Sequence, residues 1–153
     1  WRLLMSVEWM NHTGLPVDNM EKAVSFYKEF FGLSVDMDRI LEGDFIEEMT
    51  GVPGIKVHIA YLGNGDARHS VELVEWLNPK VKIEHRDAIG SPHLGIFVDD
   101  VERLYQKALA MGLKVATTPA TIKDAVHPAA KKVWLAQDID GNWLEIMERA
   151  PQG

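Results

Sequence analysis

The chain has 153 residues, a formal charge of -7 and an apolar fraction of 46%, which suit one domain or two small modules sharing a core. The acidic balance argues against a nucleic-acid or anionic-membrane partner, and no apolar run reaches the roughly 18–20 residues of a membrane helix. With no cysteine, disulfide and thiolate chemistry are excluded. We expect a cytoplasmic protein, because the opening WRLLMSVEWM also lacks a signal-peptide cleavage pattern.

The first half of the chain predicts a β-α-β-β-β succession. An amphipathic helix is expected from Met20 to Phe31, with Asp18 or Asn19 as its N-cap and Gly32 as its stop. Residues 41–54 are predicted to be irregular, with one helical turn among them. Alternating or β-branched runs predict strands at 6–17, 33–40, 55–62 and 70–76.

The second half predicts the same succession after a polar linker at residues 77–90. A helix is expected over 99–111, closed by Gly112, and residues 119–130 are predicted to form a polar loop. An Asp-Gly turn at 140–141 predicts a hairpin near the end. Strands are predicted at 91–98, 113–118, 132–138 and 142–148.

The two halves repeat one another, with one residue fewer in the second copy, so that Gly32 matches Gly112. The closing strands are VELVE at 71–75 and LEIME at 144–148. Modules of about 70 residues bury too little surface to fold alone, so we expect the two copies to pair. The matched positions are His12 with His93, Gly14 with Gly95, Val17 with Val98, Asp18 with Asp99 and Glu21 with Glu102.

Four chemically active side chains recur at matching positions of the repeats: His12 and His93 in the first strands, and Glu72 and Glu145 in the last strands. A single strand histidine is usually structural, and a single strand glutamate is usually solvated. Their recurrence changes the interpretation, because a pseudo-two-fold pairing would bring two imidazoles and two carboxylates together. Such a set suits Zn, Ni, Co, Mn or Fe, whereas Ca prefers oxygen ligands only.

The chain resembles the vicinal oxygen chelate superfamily, which contains glyoxalases, bleomycin resistance proteins and extradiol dioxygenases. The resemblance lies in HTGLPVDNMEKAVSFYKEFFGL, VELVE, PHLGIFVDDV and DIDGNWLEIME. It implies an α+β fold in which two paired βαβββ modules form a curved mixed sheet around a metal site. We therefore expect a single domain over 1–153, with module 1 at about 6–76 and module 2 at about 91–148.

The resemblance also implies ligands and roles. In metal-dependent members each first and each last strand supplies one ligand, which assigns His12, Glu72, His93 and Glu145 to the divalent metal. Four ligands leave two positions open in an octahedral site, enough for a substrate with vicinal oxygens. We expect a glyoxalase- or epimerase-like lyase or isomerase that transfers a proton next to a carbonyl. Glu145 is the expected catalytic carboxylate, with Glu72 as its symmetry mate.

Other functions remain open at this point. One is an extradiol-type Fe(II) dioxygenase, and another is a protein that binds a small molecule and confers resistance. A fosfomycin-type thiol transferase is a weaker fourth reading, because such enzymes use fewer protein ligands. The ELVEW run departs from glutathione-using glyoxalases. The partner is expected to be a small-molecule substrate recognised by 41–54 and 119–130, and the assembly a homodimer, with the site closed within one chain or between two.

Overall fold

The computed structural model describes residues 11–50, 52–65, 69–81, 92–116, 118–122 and 130–149. The chain divides into two compact units, Trp1–Ile83 and Glu84–Gly153, each of which is described by itself. Among the described helices, none is long and apolar enough to cross a membrane.

Unit 1 contains one mixed sheet of four strands. The strand order is β1-β4-β3-β2, with β1 parallel to β4 and the remaining neighbours antiparallel. The elements are β1 (His12–Pro16), α1 (Met20–Phe31), β2 (Ser34–Glu42), α2 (Asp44–Thr50), β3 (Lys56–Gly63) and β4 (Ser70–Asn78).

Unit 2 repeats this topology. Its strand order is β5-β8-β7-β6, and β5 is again parallel to β8. The predicted α+β class with two βαβββ modules is therefore confirmed. The elements are β5 (His93–Val98), α3 (Val101–Ala110), β6 (Ala120–Thr121), β7 (Ala130–Gln137) and β8 (Trp143–Arg149).

Helix α1 has the bounds that its apolar spacing predicts. Asn19, and not Asp18, is the N-cap, because its side-chain oxygen accepts from the Lys22 N–H at 2.9 Å. Gly32 ends the helix in the left-handed region, at a φ of 72°, which a residue without Cβ adopts at low cost. The buried face packs on the sheet through Met20, Ala23, Phe26, Tyr27 and Phe30.

Several predicted boundaries are wrong. The segment 41–54 is more ordered than expected, since Leu41 and Glu42 complete β2 and α2 follows. The linker predicted at residues 77–90 begins too early, because Leu77 and Asn78 belong to β4. In the described part of the strand predicted at 113–118, Val115 forms an isolated bridge with Ala136. The first ten residues of the chain, including part of the strand predicted at 6–17, lie outside the described residues.

The last glutamate of each closing strand holds the helix of its own unit. Glu75 accepts a hydrogen bond from the Met20 N–H at 2.9 Å and another from Lys80 Nζ at 2.8 Å. Glu148 accepts from the Val101 N–H at 3.2 Å and pairs with Lys131. Both acceptors lie where a helix leaves N–H groups unpaired and favours negative charge.

These contacts change the ionisation of both glutamates. Burial of the Glu75 carboxyl opposes ionisation, but the hydrogen bonds from Lys80 and Met20 outweigh it and lower its pKa. At Glu148 the Lys131 hydrogen bond and the Val101 N–H lower the pKa. A lowered pKa means that ionised Glu75 stabilises the fold above its unfolded pKa, and that this stability is lost as pH falls through the folded value.

We predict that Glu75→Gln lowers the free energy of unfolding at pH 7 by about 2 kcal/mol, because the charged acceptor of two hydrogen bonds is lost. Urea denaturation across pH is the measurement, with Glu48→Gln on the exposed side of α2 as the charge-matched control. The deficit should be constant above about pH 5 and shrink below about pH 4.5 as the parent protonates Glu75. A deficit that grows on acidification would contradict this account of the helix contact.

Candidate metal centre

Strand alternation places the two glutamates of β4 on opposite faces. Glu75 faces α1, as its hydrogen bond to Met20 requires, whereas Glu72 lies on the other face with Val74 and Trp76. We call this second side, which faces away from α1, the inner face of unit 1. The parallel pairing of β1 with β4 aligns Gly14 with Glu72. His12 lies two residues before Gly14, so its side chain is on the same side of the sheet as that of Glu72.

His12 and Glu72 form a close pair. His12 Nε2 lies 3.3 Å from Glu72 Oε2, with the imidazole 38% and the carboxylate 17% exposed. On the other edge of the ring, His12 Nδ1 lies 2.9 Å from Asn11 Oδ1. An amide oxygen only accepts, so this contact favours a hydrogen on Nδ1, while Nε2 faces the Glu72 carboxylate.

Unit 2 contains the same pair. His93 Nε2 lies 3.3 Å from Glu145 Oε2, the same two atoms at the same distance as in unit 1. The pairing of β5 with β8 aligns Gly95 with Glu145, as Gly14 is aligned with Glu72. The glutamate is more accessible here, at 35% exposed against 17% for Glu72.

The glycine two residues after each histidine lies next to the glutamate. A Cβ built on Gly14 would lie 3.4 Å from Glu72 Oε2. One built on Gly95 would lie 3.4 Å from Met147 Cε and 3.9 Å from Glu145 Oε2. Each carboxylate therefore lies beside a glycine of the first strand and close to the histidine two residues before it.

Tyr61 contacts both members of the unit 1 pair. Its phenol donates to the Glu72 carboxylate, and its hydroxyl lies 3.5 Å from His12 Nδ1. The two rings meet edge-on, with centroids 5.3 Å apart. Burial, the Glu72 hydrogen bond and the Glu72 charge raise the pKa of Tyr61 to about 12, so the phenol stays protonated and keeps donating.

The donor atoms of each pair fit a divalent metal. Two ligands bound to one ion at about 2.1 Å lie roughly 3.0–3.4 Å apart in octahedral or tetrahedral geometry, and both pairs fall in that range. Two facing acceptors also need a proton or a cation between them. Among the residues that the structure describes, no three histidine, aspartate or glutamate side chains converge. Each unit therefore brings together one histidine and one glutamate.

The remaining histidines make other contacts or lie outside the described residues. His58 Nε2 lies 2.6 Å from Asp38 Oδ1, on the α1 side of the sheet, which supports a structural role. His69 Nε2 lies 2.9 Å from Thr13 Oγ1. His85 and His127, which we expect to be solvated, are not among the described residues.

A cleft of about 470 Å³ adjoins the His12–Glu72 pair. Asn11 and Tyr61 line it and also contact His12, so a molecule in the cleft would touch residues that hold the pair. Helix α2 packs on the inner face near the cleft through Ile46, which is 2% exposed and belongs to a cluster with Val57 and Ile59. The lining residues include Asn11, Asp36, Met37, Ile59, Tyr61 and Ser70.

Sequence reasoning missed Asn11 and Tyr61. The only signal for Tyr61 is the register of the β3–β4 hairpin, which places it opposite Glu72. That register depends on the length of the turn, which the Gly63–Asp66 pattern leaves open. Asn11 carries no signal of its own, because an asparagine before a strand is ordinary loop chemistry.

Residues 9–146 match the family model described as "Glyoxalase/Bleomycin resistance protein/Dioxygenase superfamily". The chain is 24% identical over 141 residues to the uncharacterized protein YwbC of Bacillus subtilis (strain 168), covering 92% of this chain and 97% of that protein. It is 28% identical over 145 residues to a probable chloroplastic lactoylglutathione lyase of Arabidopsis thaliana, covering 93% of this chain and 36% of that protein.

A solved structure shows the same fold. The chain superposes on a glyoxalase family protein from Bacillus cereus with a TM-score of 0.83 and 19% identity, covering 99% of this chain and 100% of that one. At this identity the likeness establishes the architecture alone. The chain spans about a third of the Arabidopsis protein, so the activity of that longer protein does not transfer to this one as a finding.

We predict that Gly14→Ala weakens Zn²⁺ binding more than Gly95→Ala. The new methyl group at position 14 would contact the Glu72 carboxylate, whereas at position 95 the nearer neighbour is the flexible end of Met147. Calorimetric titration of chelator-treated protein measures the affinities, and circular dichroism checks that both variants fold. Equal affinities for the two variants would contradict the role given to Gly14.

Proposed function

The chain belongs to the glyoxalase/bleomycin resistance/dioxygenase superfamily, and from this premise we propose that it is a divalent-metal-dependent lyase or isomerase. The reaction is proton transfer at a carbon next to a carbonyl, in a small molecule with vicinal oxygens. The observation that supports it most is the duplicated His–Glu pair, with the same two atoms 3.3 Å apart in each unit.

The proposed ligands are His12 and Glu72 from unit 1 and His93 and Glu145 from unit 2, joined within one chain or between two copies. A mixed imidazole and carboxylate set suits Ni, Co, Mn, Zn or Fe. When bound, such an ion polarises a substrate carbonyl as a Lewis acid. Asn11 supports the proposal, because its contact with His12 Nδ1 leaves Nε2 as the free ligand atom.

Glu145 is the proposed proton-transfer residue. Its carboxylate is 35% exposed against 17% for Glu72, so a substrate reaches it more readily. Proton transfer needs a carboxylate within reach of the substrate, and among the described residues Glu145 pairs with His93. Glu72, which additionally accepts from Tyr61, is the less mobile of the two.

The cleft beside the unit 1 pair is the proposed substrate entrance. Apolar side chains of Met37 and Ile59 form part of its wall, and Asn11 and Tyr61 supply hydrogen-bonding groups next to His12. This mixture is typical of small-molecule sites. Substrate recognition by 41–54 is supported by α2, which covers part of the same face. We propose a cytoplasmic homodimer as the working form.

We predict that the parent protein, purified without chelator, binds one divalent ion per complete set of four ligands. His12→Ala and His93→Ala should each weaken binding more than about 100-fold, since removing a ligand costs more than the 10–100-fold typical of its supporting contacts. His58→Ala is the matched control, because His58 faces the α1 side and pairs with Asp38. Metal analysis and competition titration give the affinities.

A protein that binds no divalent ion would contradict the proposal. Small-molecule binding that persists with chelator and in His12→Ala would instead indicate a sequestering or resistance protein. Oxygen uptake with catechols that depends on added Fe(II) would indicate a ring-cleaving dioxygenase.

We predict that Glu145→Gln retains the fold and lowers kcat by about 10²–10⁴-fold, the range typical of a lost general base. Glu72→Gln should lower metal affinity in addition. The measurement is the rate of exchange of the substrate α-proton for deuterium, followed by proton NMR against an enzyme-free blank, across a panel of 2-oxoaldehyde hemithioacetals and other substrates with vicinal oxygens. Full exchange by Glu145→Gln on every accepted substrate would rule out its role.

A further inference from the structure

The two His–Glu pairs differ in what stands opposite the glutamate on the neighbouring strand. In unit 1 the antiparallel pairing of β3 with β4 places Tyr61 opposite Glu72. In unit 2 the equivalent pairing of β7 with β8 places Leu135 opposite Glu145. A phenol in one module is therefore replaced by an apolar side chain in the other, at the position paired with the glutamate on the neighbouring strand.

This difference is visible in the contacts of the two carboxylates. Glu72 lies between His12 and the Tyr61 phenol, which donates to it, and it is only 17% exposed. Glu145 faces His93 and is 35% exposed, with no hydroxyl on the opposing residue. A carboxylate with two partners on different strands has one favoured orientation, whereas one with a single partner turns more freely.

We propose that Tyr61 is a positioning residue that holds Glu72 in one orientation as the fixed carboxylate ligand, leaving Glu145 as the carboxylate that moves. The inference rests on the proposed function. It adds a reason why Glu72 and Glu145, which occupy equivalent positions of the repeat, would have different roles. Tyr61 also lines the cleft, so a molecule bound there lies next to the group that orients Glu72.

Loss of the Tyr61 hydroxyl should weaken metal binding. Loss of a contact that orients a ligand typically weakens metal affinity 10–100-fold, even though the ligand itself remains. Tyr61→Phe removes the hydroxyl and keeps the ring against His12, so the edge-on packing at 5.3 Å is preserved. The inner-face cluster keeps its volume as well, because Tyr61 packs there through its ring.

The test uses Co²⁺ as the probe, because its visible absorption reports the number and arrangement of ligands. Tyr61→Phe should bind Co²⁺ 10–100-fold more weakly than the parent and give a changed visible spectrum. Tyr105→Phe is the matched control, since it removes a phenol hydroxyl from α3, where the ring packs edge-on against Trp134. The control should match the parent in affinity and spectrum.

A second measurement needs no metal. With chelator present, urea denaturation gives the free energy of unfolding of each variant. The parent, Tyr61→Phe, Glu72→Gln and the double variant together form a double-mutant cycle. The inference predicts that the two substitutions are not additive, because each removes one partner of the same hydrogen bond.

Each outcome has one meaning. A Tyr61→Phe protein with parental Co²⁺ affinity and spectrum, or an additive cycle, overturns the role of Tyr61 and leaves the proposed function standing. A parent protein that binds no Co²⁺ contradicts the proposed function, and the positioning role falls with it. Weaker binding with a changed spectrum and a non-additive cycle support the inference.

Discussion

The candidate site depends on one local contact made twice, the approach of a glutamate oxygen to a histidine Nε2 across a glycine. A parallel strand pair places a glycine beside the glutamate, and the carboxylate lies 3.3 Å from the histidine two residues before that glycine. Two acceptors at 3.3 Å repel unless a proton or a cation lies between them. The H-x-G pattern of each repeat therefore brings together a histidine and a glutamate that are distant in sequence.

The closing strand of each module also contacts a helix, through a glutamate on its other face. Glutamates three positions apart point to opposite sides of a strand, so Glu72 serves the inner face while Glu75 holds the start of α1. Glu145 and Glu148 divide in the same way in unit 2. One strand of each module therefore carries both the glutamate that contacts the helix and the glutamate of the His–Glu pair. Stability and the candidate site share a common element in each module.

Much of the fold follows from local sequence patterns. Helix α1 begins and ends where its apolar spacing, its N-cap asparagine and Gly32 indicate, because all three signals agree. The edges of β2, β4 and the region after Gly112 were less predictable, since pairing partners decide where a strand ends. Val115 illustrates this, because it meets Ala136 in an isolated bridge although valine is a β-branched residue that favours strands.

Only those residues of the candidate site that occur at matching positions of the two repeats were predictable from the sequence. His12, Glu72, His93 and Glu145 are recognisable because each has a symmetry mate. Tyr61 and Asn11 have none, and their contacts depend on hairpin register and on a loop conformation that composition does not encode. The differences between the modules, which would give the two glutamates unequal roles, therefore lie in residues that a search for repeats passes over.

The most direct test is to determine the position at which a divalent metal ion binds. A crystal grown with Co²⁺ and measured on both sides of the cobalt absorption edge locates the ion without reference to activity. The account predicts one anomalous peak about 2.0–2.3 Å from His12 Nε2, His93 Nε2 and one oxygen each of Glu72 and Glu145. No peak at these residues, or a separate ion at each His–Glu pair, would contradict a single centre built from both modules.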